Sequence, residues 1–221
     1  MASYFNLTLR TIAPAGASLT INGGAAYTNT TAVTLAIGTS DTPTTGYTMK
    51  IWGINGVATE AAAQWETFAA TKSVNLTTGD GLKTVYLKVR DNVYNESAAV
   101  SKTITLNTSV PIATITGPDV SVISKITGKD TASFSFMVNE AFDEYSVRIV
   151  PATTSLHTAG TQIPSKAGST NMSGTKSGGF QANTAINCTI KGADLETASN
   201  GDGLKIVKIF AKNMAGSWSV T

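Results

Sequence analysis

The sequence predicts an all-β chain built as two tandem sandwiches, and three observations carry that prediction. Apolar and polar residues alternate with a period of two through both halves, the signature of extended strands with one buried face. Clusters of Gly, Asn, Asp and Pro interrupt the alternation at short intervals, as turns between strands do. One strand-and-turn motif, Gly79-Asp80-Gly81-Leu82-Lys83, returns as Gly201-Asp202-Gly203-Leu204-Lys205. The 221 residues suffice for two sandwiches of about 100 residues each, and each can bury its own core without metal or disulfide. The boundaries read from these features are an N-terminal strand or arm over residues 1–15, a first domain over 16–109 and a second over 110–221.

In the first domain, Val33, Leu35 and Ile37 point to one face while Thr34 points to the other. Tyr47, Met49 and Ile51 alternate with Thr48, Lys50 and Trp52, and Val85, Leu87 and Val89 with Tyr86, Lys88 and Arg90. Ile104 and Leu106 point inward from the last strand. Asn22-Gly23-Gly24, Asp41-Thr42-Pro43, Gly79-Asp80-Gly81 and Asp91-Asn92 supply the turns. The helix-like patch over residues 58–64 is short enough to be a turn before Trp65.

The second domain repeats the first. Val207, Ile209 and Ala211 match Val85, Leu87 and Val89; Tyr145, Val147 and Ile149 match Tyr47, Met49 and Ile51; Ala132, Phe134, Phe136 and Val138 match the strand through Val33 and Leu35. The offset grows between the two strand pairs because a Ser/Thr/Gly-rich insertion occupies about residues 151–181. Pro111, in the joint 107–111, fixes φ and removes a donor, so a stiff linker is expected.

The run Gly79-Asp80-Gly81-Leu82-Lys83-Thr84-Val85-Tyr86-Leu87-Lys88-Val89-Arg90-Asp91, then Asn95 and Ser97, then Thr103-Ile104-Thr105-Leu106-Asn107 before Pro111, resembles the immunoglobulin-like repeats of bacterial surface proteins and phage virion proteins. Ser18-Leu19-Thr20-Ile21-Asn22-Gly23-Gly24 followed by Tyr27-Thr28-Asn29 is similar to the start of that repeat. The resemblance covers residues 17–111 well; in the second half it is good only at 114–116 and 201–219. It implies two immunoglobulin-like β-sandwiches serving as modular, non-enzymatic spacers or adhesive and decorative modules.

One segment is out of place. Leu7-Thr8-Leu9-Arg10-Thr11-Ile12-Ala13-Pro14 matches Ile104-Thr105-Leu106-Asn107-Thr108-Ser109-Val110-Pro111, the closing strand of the first domain with its linker. The second domain shows little sequence after Trp218 from which to make the same strand. Two readings follow. Residues 4–10 of one subunit, or of a partner, complete the second domain of another by strand addition, or residues 5–10 are simply the first strand of their own sandwich. Tyr4, Phe5, Leu7 and Leu9 are accordingly candidate interface residues.

Composition sets the surroundings. Charged residues are only 14% of the chain, below the roughly 25% usual for globular domains, so Thr, Ser and Asn must supply the polar surface. The net charge of +2 is scattered, without the basic stripe of a nucleic-acid binder. No run approaches the roughly 20 apolar residues of a membrane span, and MASYFNLTLR has neither the basic nor the apolar region of a secretory leader. That combination suits assembly into a phage particle inside the host.

Catalytic chemistry is not expected. His157 is the single histidine and Cys188 the single cysteine. His157 is expected in a solvated loop and Cys188, between Ile186 and Ile190, as a small buried hydrophobe. Glu140, Asp143 and Glu144 read as a solvated turn, and Gly-Asp-Gly at Asp80 and Asp202 as tight turns rather than Ca²⁺ loops. No cofactor or metal is expected. Trp52, outward by alternation, is either a contact or sugar platform or is covered by a neighbouring loop. Trp218, beside the unfinished edge, and the insertion, with His157 and Phe180, complete the interface candidates. The reading of the whole is a non-enzymatic structural protein of a bacteriophage virion, from a tail, baseplate or capsid decoration. It would bind other virion proteins and copies of itself, and a host-surface glycan as a further partner. The alternatives are a fragment of a bacterial cell-surface adhesin and a carbohydrate-binding module.

Overall fold

Alternating strands seal their apolar faces against one another in two separate units, residues 1–107 and 108–221. The computed structural model describes residues 3, 5–151, 153–154 and 156–220.

In the first unit, β1 (Ser18–Ile21), β3 (Ala32–Gly38) and β6 (Thr71–Asn75) form an antiparallel sheet in the order β1-β3-β6. The facing sheet runs β2 (Tyr27–Thr28), β8 (Val100–Leu106), β7 (Gly81–Arg90), β4 (Thr48–Trp52), β5 (Glu66–Thr67). Within it β2 lies parallel to β8 and the other pairs are antiparallel. Leu35 from one sheet and Val85, Leu87, Val89 and Leu106 from the other are fully buried, as the period-2 pattern predicts. The patch at 58–64 holds a 3₁₀ turn at Glu60–Ala62. Gly53 closes the turn after β4 at φ +79°, and a Cβ there would lie 2.1 Å from the Thr84 carbonyl oxygen. Gly53→Ala is therefore expected to cost the first unit about 1–3 kcal/mol, read as a lower denaturant midpoint with an unchanged slope.

The second unit pairs β9 (Ala113–Thr116) with β10 (Thr131–Val138), and β10 with β14 (Ile186–Lys191). The other sheet is centred on β11 (Phe142–Ile149), with β12 (Thr161–Gln162) and β13 (Ser173–Phe180) on one side and β15 (Val207–Asn213) on the other. Phe136, Val138, Phe142, Val147, Ile163, Met172 and Ile209 fill the space between. Two features differ from expectation. The insertion is not merely a loop, because it contributes β12 and β13 to the sheet. A short helix α1 (Gly192–Ala198) follows β14 and packs Leu195 against the core; its seven residues are too few to show a helical period.

Candidate functional site

The first unit shows what a finished sandwich looks like at β7. Its outer edge is paired along its length by β8, from Gly81 opposite Leu106 to Leu87 opposite Val100. Ile104 and Leu106 reach down from β8 into the core and are buried. β8 in turn gives β2 its parallel partner and packs over β1, where Ile21 is 2% exposed.

The turn after this strand is built identically in the second unit. Asp91 Oδ1 accepts the backbone N–H groups of Val93 and Asn95 at 3.0 and 2.8 Å; Asn213 Oδ1 accepts those of Ala215 and Ser217 at 3.1 and 2.9 Å. Ser97 Oγ accepts from Val89 N–H, and Ser219 Oγ from Ala211 N–H, both at 3.0 Å. These bonds fix β15 as the counterpart of β7, residue for residue.

The edge beside β15 is nevertheless open. Among the described residues its outer side carries only an isolated bridge, Lys212 to Trp218, and no strand corresponding to β8. A groove of about 830 Å³ lies there, lined by Ile115, Val122, Phe134, Leu195, Leu204 and Val207 among others. Ile115 sits opposite Phe136 as Ile21 sits opposite Leu35, yet it is 45% exposed. Val85 is fully buried while its counterpart Val207 is only half-buried. Residues 118–126, which follow β9 as β2 follows β1, form no strand and expose Val122 and Ile126. An apolar slot of this kind beside unpaired backbone groups is a template for an added strand.

The N-terminal arm shows the complementary condition. Described residues 5–12 belong to no ladder, so the reading of residues 5–10 as a strand of their own sandwich is corrected; the first strand is β1. Phe5, Leu7 and Leu9 are 84%, 86% and 85% exposed. Tyr4 lies outside the described residues. At the root of the arm, an Arg10 guanidinium N–H donates to Tyr47 Oη at 2.8 Å, and the Arg10 carbonyl accepts from Asn95 Nδ2 at 3.3 Å.

The remaining candidates fall elsewhere. Trp52 is buried, because its ring stacks on that of Tyr86, directly opposite on β7, at 5.3 Å and 5°; it offers no platform to a ligand. Phe180 is half-buried and packs against the core, stacking on Phe142 at 4.9 Å and meeting Tyr145 edge-on. His157 is not a freely solvated loop residue, since it stacks on Trp218 at 4.3 Å and 6°, with Lys212 Nζ 5.7 Å from the same indole. That stack ties the insertion to the turn after β15. Sequence reasoning missed Trp65, whose ring is flanked by Lys50 Nζ at 4.9 Å and Arg90 Cζ at 4.2 Å. It also missed Asp194, a buried carboxylate that accepts Ala167 N–H at 2.8 Å and Ser169 N–H at 2.9 Å. The turn acids are not simply solvated: Lys212 Nζ bonds Glu144 Oε2 at 2.6 Å and lies 3.8 Å from Asp143 Oδ2. Cys188 is buried, and burial pushes its thiol up to about 12. Among the described residues no three His, Cys, Asp or Glu side chains converge as metal ligands, and no helix is long and apolar enough to cross a membrane.

The strand order and the parallel β2–β8 pair define the first unit as an immunoglobulin-like β-sandwich, and the shared β7 and β15 turn marks the second as a sandwich of the same plan. No protein-family model matches the chain, and no characterised protein matches it in sequence. Among solved structures it is similar to the fibronectin(III)-like modules of CbhA from Clostridium thermocellum, at 11% identity and a TM-score of 0.45, covering 92% of this chain and 90% of that one. It is similar also to the D00–D0 domain of intimin, at 14% identity and a TM-score of 0.34, covering 92% and 98%. Chitinase ChiA74 from Bacillus thuringiensis matches at 12% identity and a TM-score of 0.29, covering 87% of this chain and 28% of that one.

Proposed function

We propose that this chain is a non-enzymatic structural protein that assembles by accepting a β-strand at the open edge of its second sandwich. The observation that carries the reading is the β15 groove: an apolar hollow next to a strand edge that, among the described residues, carries only one isolated bridge. Main-chain bonds along β15 would supply affinity, and alternate apolar side chains dropping into the groove would supply specificity.

The setting we propose is a bacteriophage particle, with the chain as a tail, baseplate or capsid-decorating component. Its low charge, Thr-rich surface and single buried cysteine support that setting over a disulfide-stapled secreted domain. A sugar-binding role loses its expected platform with the burial of Trp52.

The strand-accepting reading is tested with a peptide of residues 99–107, the first unit's own closing strand, added to a chain shortened by its first nine residues. Described residues 5–9 join no strand and Phe5, Leu7 and Leu9 are exposed, so their removal leaves both cores intact. Saturable binding that shifts the amide signals of residues 204–209 is expected, and it should vanish when the peptide's Ile104 and Leu106 positions carry Asp. Absence of binding by the unsubstituted peptide contradicts the reading. Antibody labelling of purified source particles tests the setting: label on the virion is expected, and label confined to the bacterial surface would favour the adhesin.

A further inference from the structure

We propose that the outward face of the first sandwich, where Trp65, Arg90, Tyr94 and Lys50 meet, binds an acidic saccharide, one whose sugar rings carry carboxylates. The site stands apart from the β15 groove and shares no residue with it.

The register brings the four together. Met49 and Val89 are buried, so Thr48, Lys50, Lys88 and Arg90 face outward, with Thr48 opposite Arg90 and Lys50 opposite Lys88. β5 sets Glu66 opposite Met49, and Trp65, one residue earlier, is half-buried beside the same face. Its ring has Lys50 Nζ at 4.9 Å and Arg90 Cζ at 4.2 Å. The Arg90 guanidinium also lies 4.7 Å from the Tyr94 ring. A stacked guanidinium keeps its N–H groups at its rim, where a carboxylate can take them in pairs. Arg90 Nε donates to Thr48 Oγ1 at 3.1 Å, which fixes the direction of the fork.

Two observations mark this as more than a packing cluster. The first is charge. Glu60 and Glu96 are taken by Lys88, and Glu66 by Lys72. Lys212, the counterpart of Arg90 in the second unit, is bonded to Glu144. Among the described residues, Lys50 and Arg90 form no ion pair, and two uncompensated cations side by side favour an anionic ligand. The second is backbone strain. Tyr94 takes φ +71°, a left-handed conformation that a bulky residue adopts only at a cost. Its counterpart Gly216 takes φ +91° without a Cβ. The Asp91 bonds to Val93 and Asn95 N–H hold the turn, and Tyr94 is 73% exposed on it. Glycine serves the same turn in the sister unit, so the strained aromatic is kept for contact rather than for the fold.

Ring and charge together choose the ligand. The Trp65 and Tyr94 rings offer flat apolar surface, which suits the apolar face of a pyranose, and Lys50 and Arg90 stand beside them to take its carboxylates. Denser polyanions would meet Glu60, Glu66 and Glu96 in the same neighbourhood.

The test titrates the full chain with tetragalacturonate and, separately, tetramannuronate, and follows the indole N–H signals of Trp52, Trp65 and Trp218 by NMR. A saturable shift of the Trp65 signal by at least one of them is expected, with the other two signals unmoved. The neutral tetrasaccharide of the same stereochemistry, which keeps the rings and lacks the carboxylates, should bind at least tenfold more weakly. Lys50→Gln/Arg90→Gln should bind the acidic sugar at least tenfold more weakly. Tyr94→Gly should weaken binding at least fivefold without lowering the denaturant midpoint, since glycine suits the left-handed turn; that variant separates lost contact from lost fold. No saturable shift at millimolar concentration of either acidic sugar overturns the proposal. Equal affinity for the neutral sugar overturns it too, as does binding that survives Tyr94→Gly. Hexaglutamate that moves the Trp65 signal at equal or higher affinity also overturns it, because the site then belongs to acidic peptides.

Discussion

Phe136→Ala is expected to destabilise the second unit by about 3–5 kcal/mol while leaving the first at its original stability. Phe136 is 1% exposed, contributed by β10, and its ring meets Tyr145 edge-on at 5.1 Å. Truncation removes the buried ring and leaves a cavity that the two sheets fill only in part, since the flanking Val138, Phe142 and Val147 are themselves fully buried. For a unit of this size the loss lowers the midpoint by roughly 10–25 °C. Calorimetry resolves the effect as one displaced transition beside an undisplaced one. Equal displacement of both would mean that the units do not keep separate cores.

Removing either buried carboxylate is expected to be nearly as costly. Asp194→Ala strands the N–H groups of Ala167 and Ser169, and Asp91→Ala those of Val93 and Asn95. At about 1–3 kcal/mol for each unsatisfied donor, a loss of about 2–6 kcal/mol is expected for each variant. Asp91→Asn should cost far less, because Asn213 already serves the equivalent turn. Burial raises the pKa of both carboxyls, but hydrogen bonds outweigh it. For Asp91 these come from the Asn95 side chain and from the Asn95 and Val93 backbone, helped by Arg10; for Asp194 they come chiefly from Ser169 and Ala167. Both folded-state values therefore lie below the ordinary carboxyl range. The stability they contribute is fully present above the unfolded value of about 3.9 and is lost as pH falls through the lower folded values. Urea midpoints should be flat from neutrality down to about pH 5 and decline below about pH 4, less so in Asp91→Asn. A midpoint that rises on acidification contradicts the assignment.

Much of the fold is legible in the sequence because a strand with one buried face writes its own period. Val85, Leu87 and Val89 and their counterparts Val207, Ile209 and Ala211 announce both the strands and the repeat. What alternation cannot supply is the identity of the cross-strand neighbour. Trp52 points away from the core as its period demands, yet Tyr86 opposite it on β7 buries the ring. Phe180 sits in a Ser/Gly-rich stretch with no clear period, and it joins the core only because β13 pairs with β11. Asp194 and His157 gain their roles from partners 25 and 61 residues away, Ser169 and Trp218, and no local pattern encodes such distant contacts.

Amide hydrogen exchange along residues 204–209, compared between the shortened chain alone and the same chain saturated with the 99–107 peptide, reads the edge of β15 directly. Fast exchange of the outward-facing amides without the peptide is expected, with strong protection there and in residues 119–123 once it binds. Amides already as slow in the free chain as those of β7 would mean that the edge was never open.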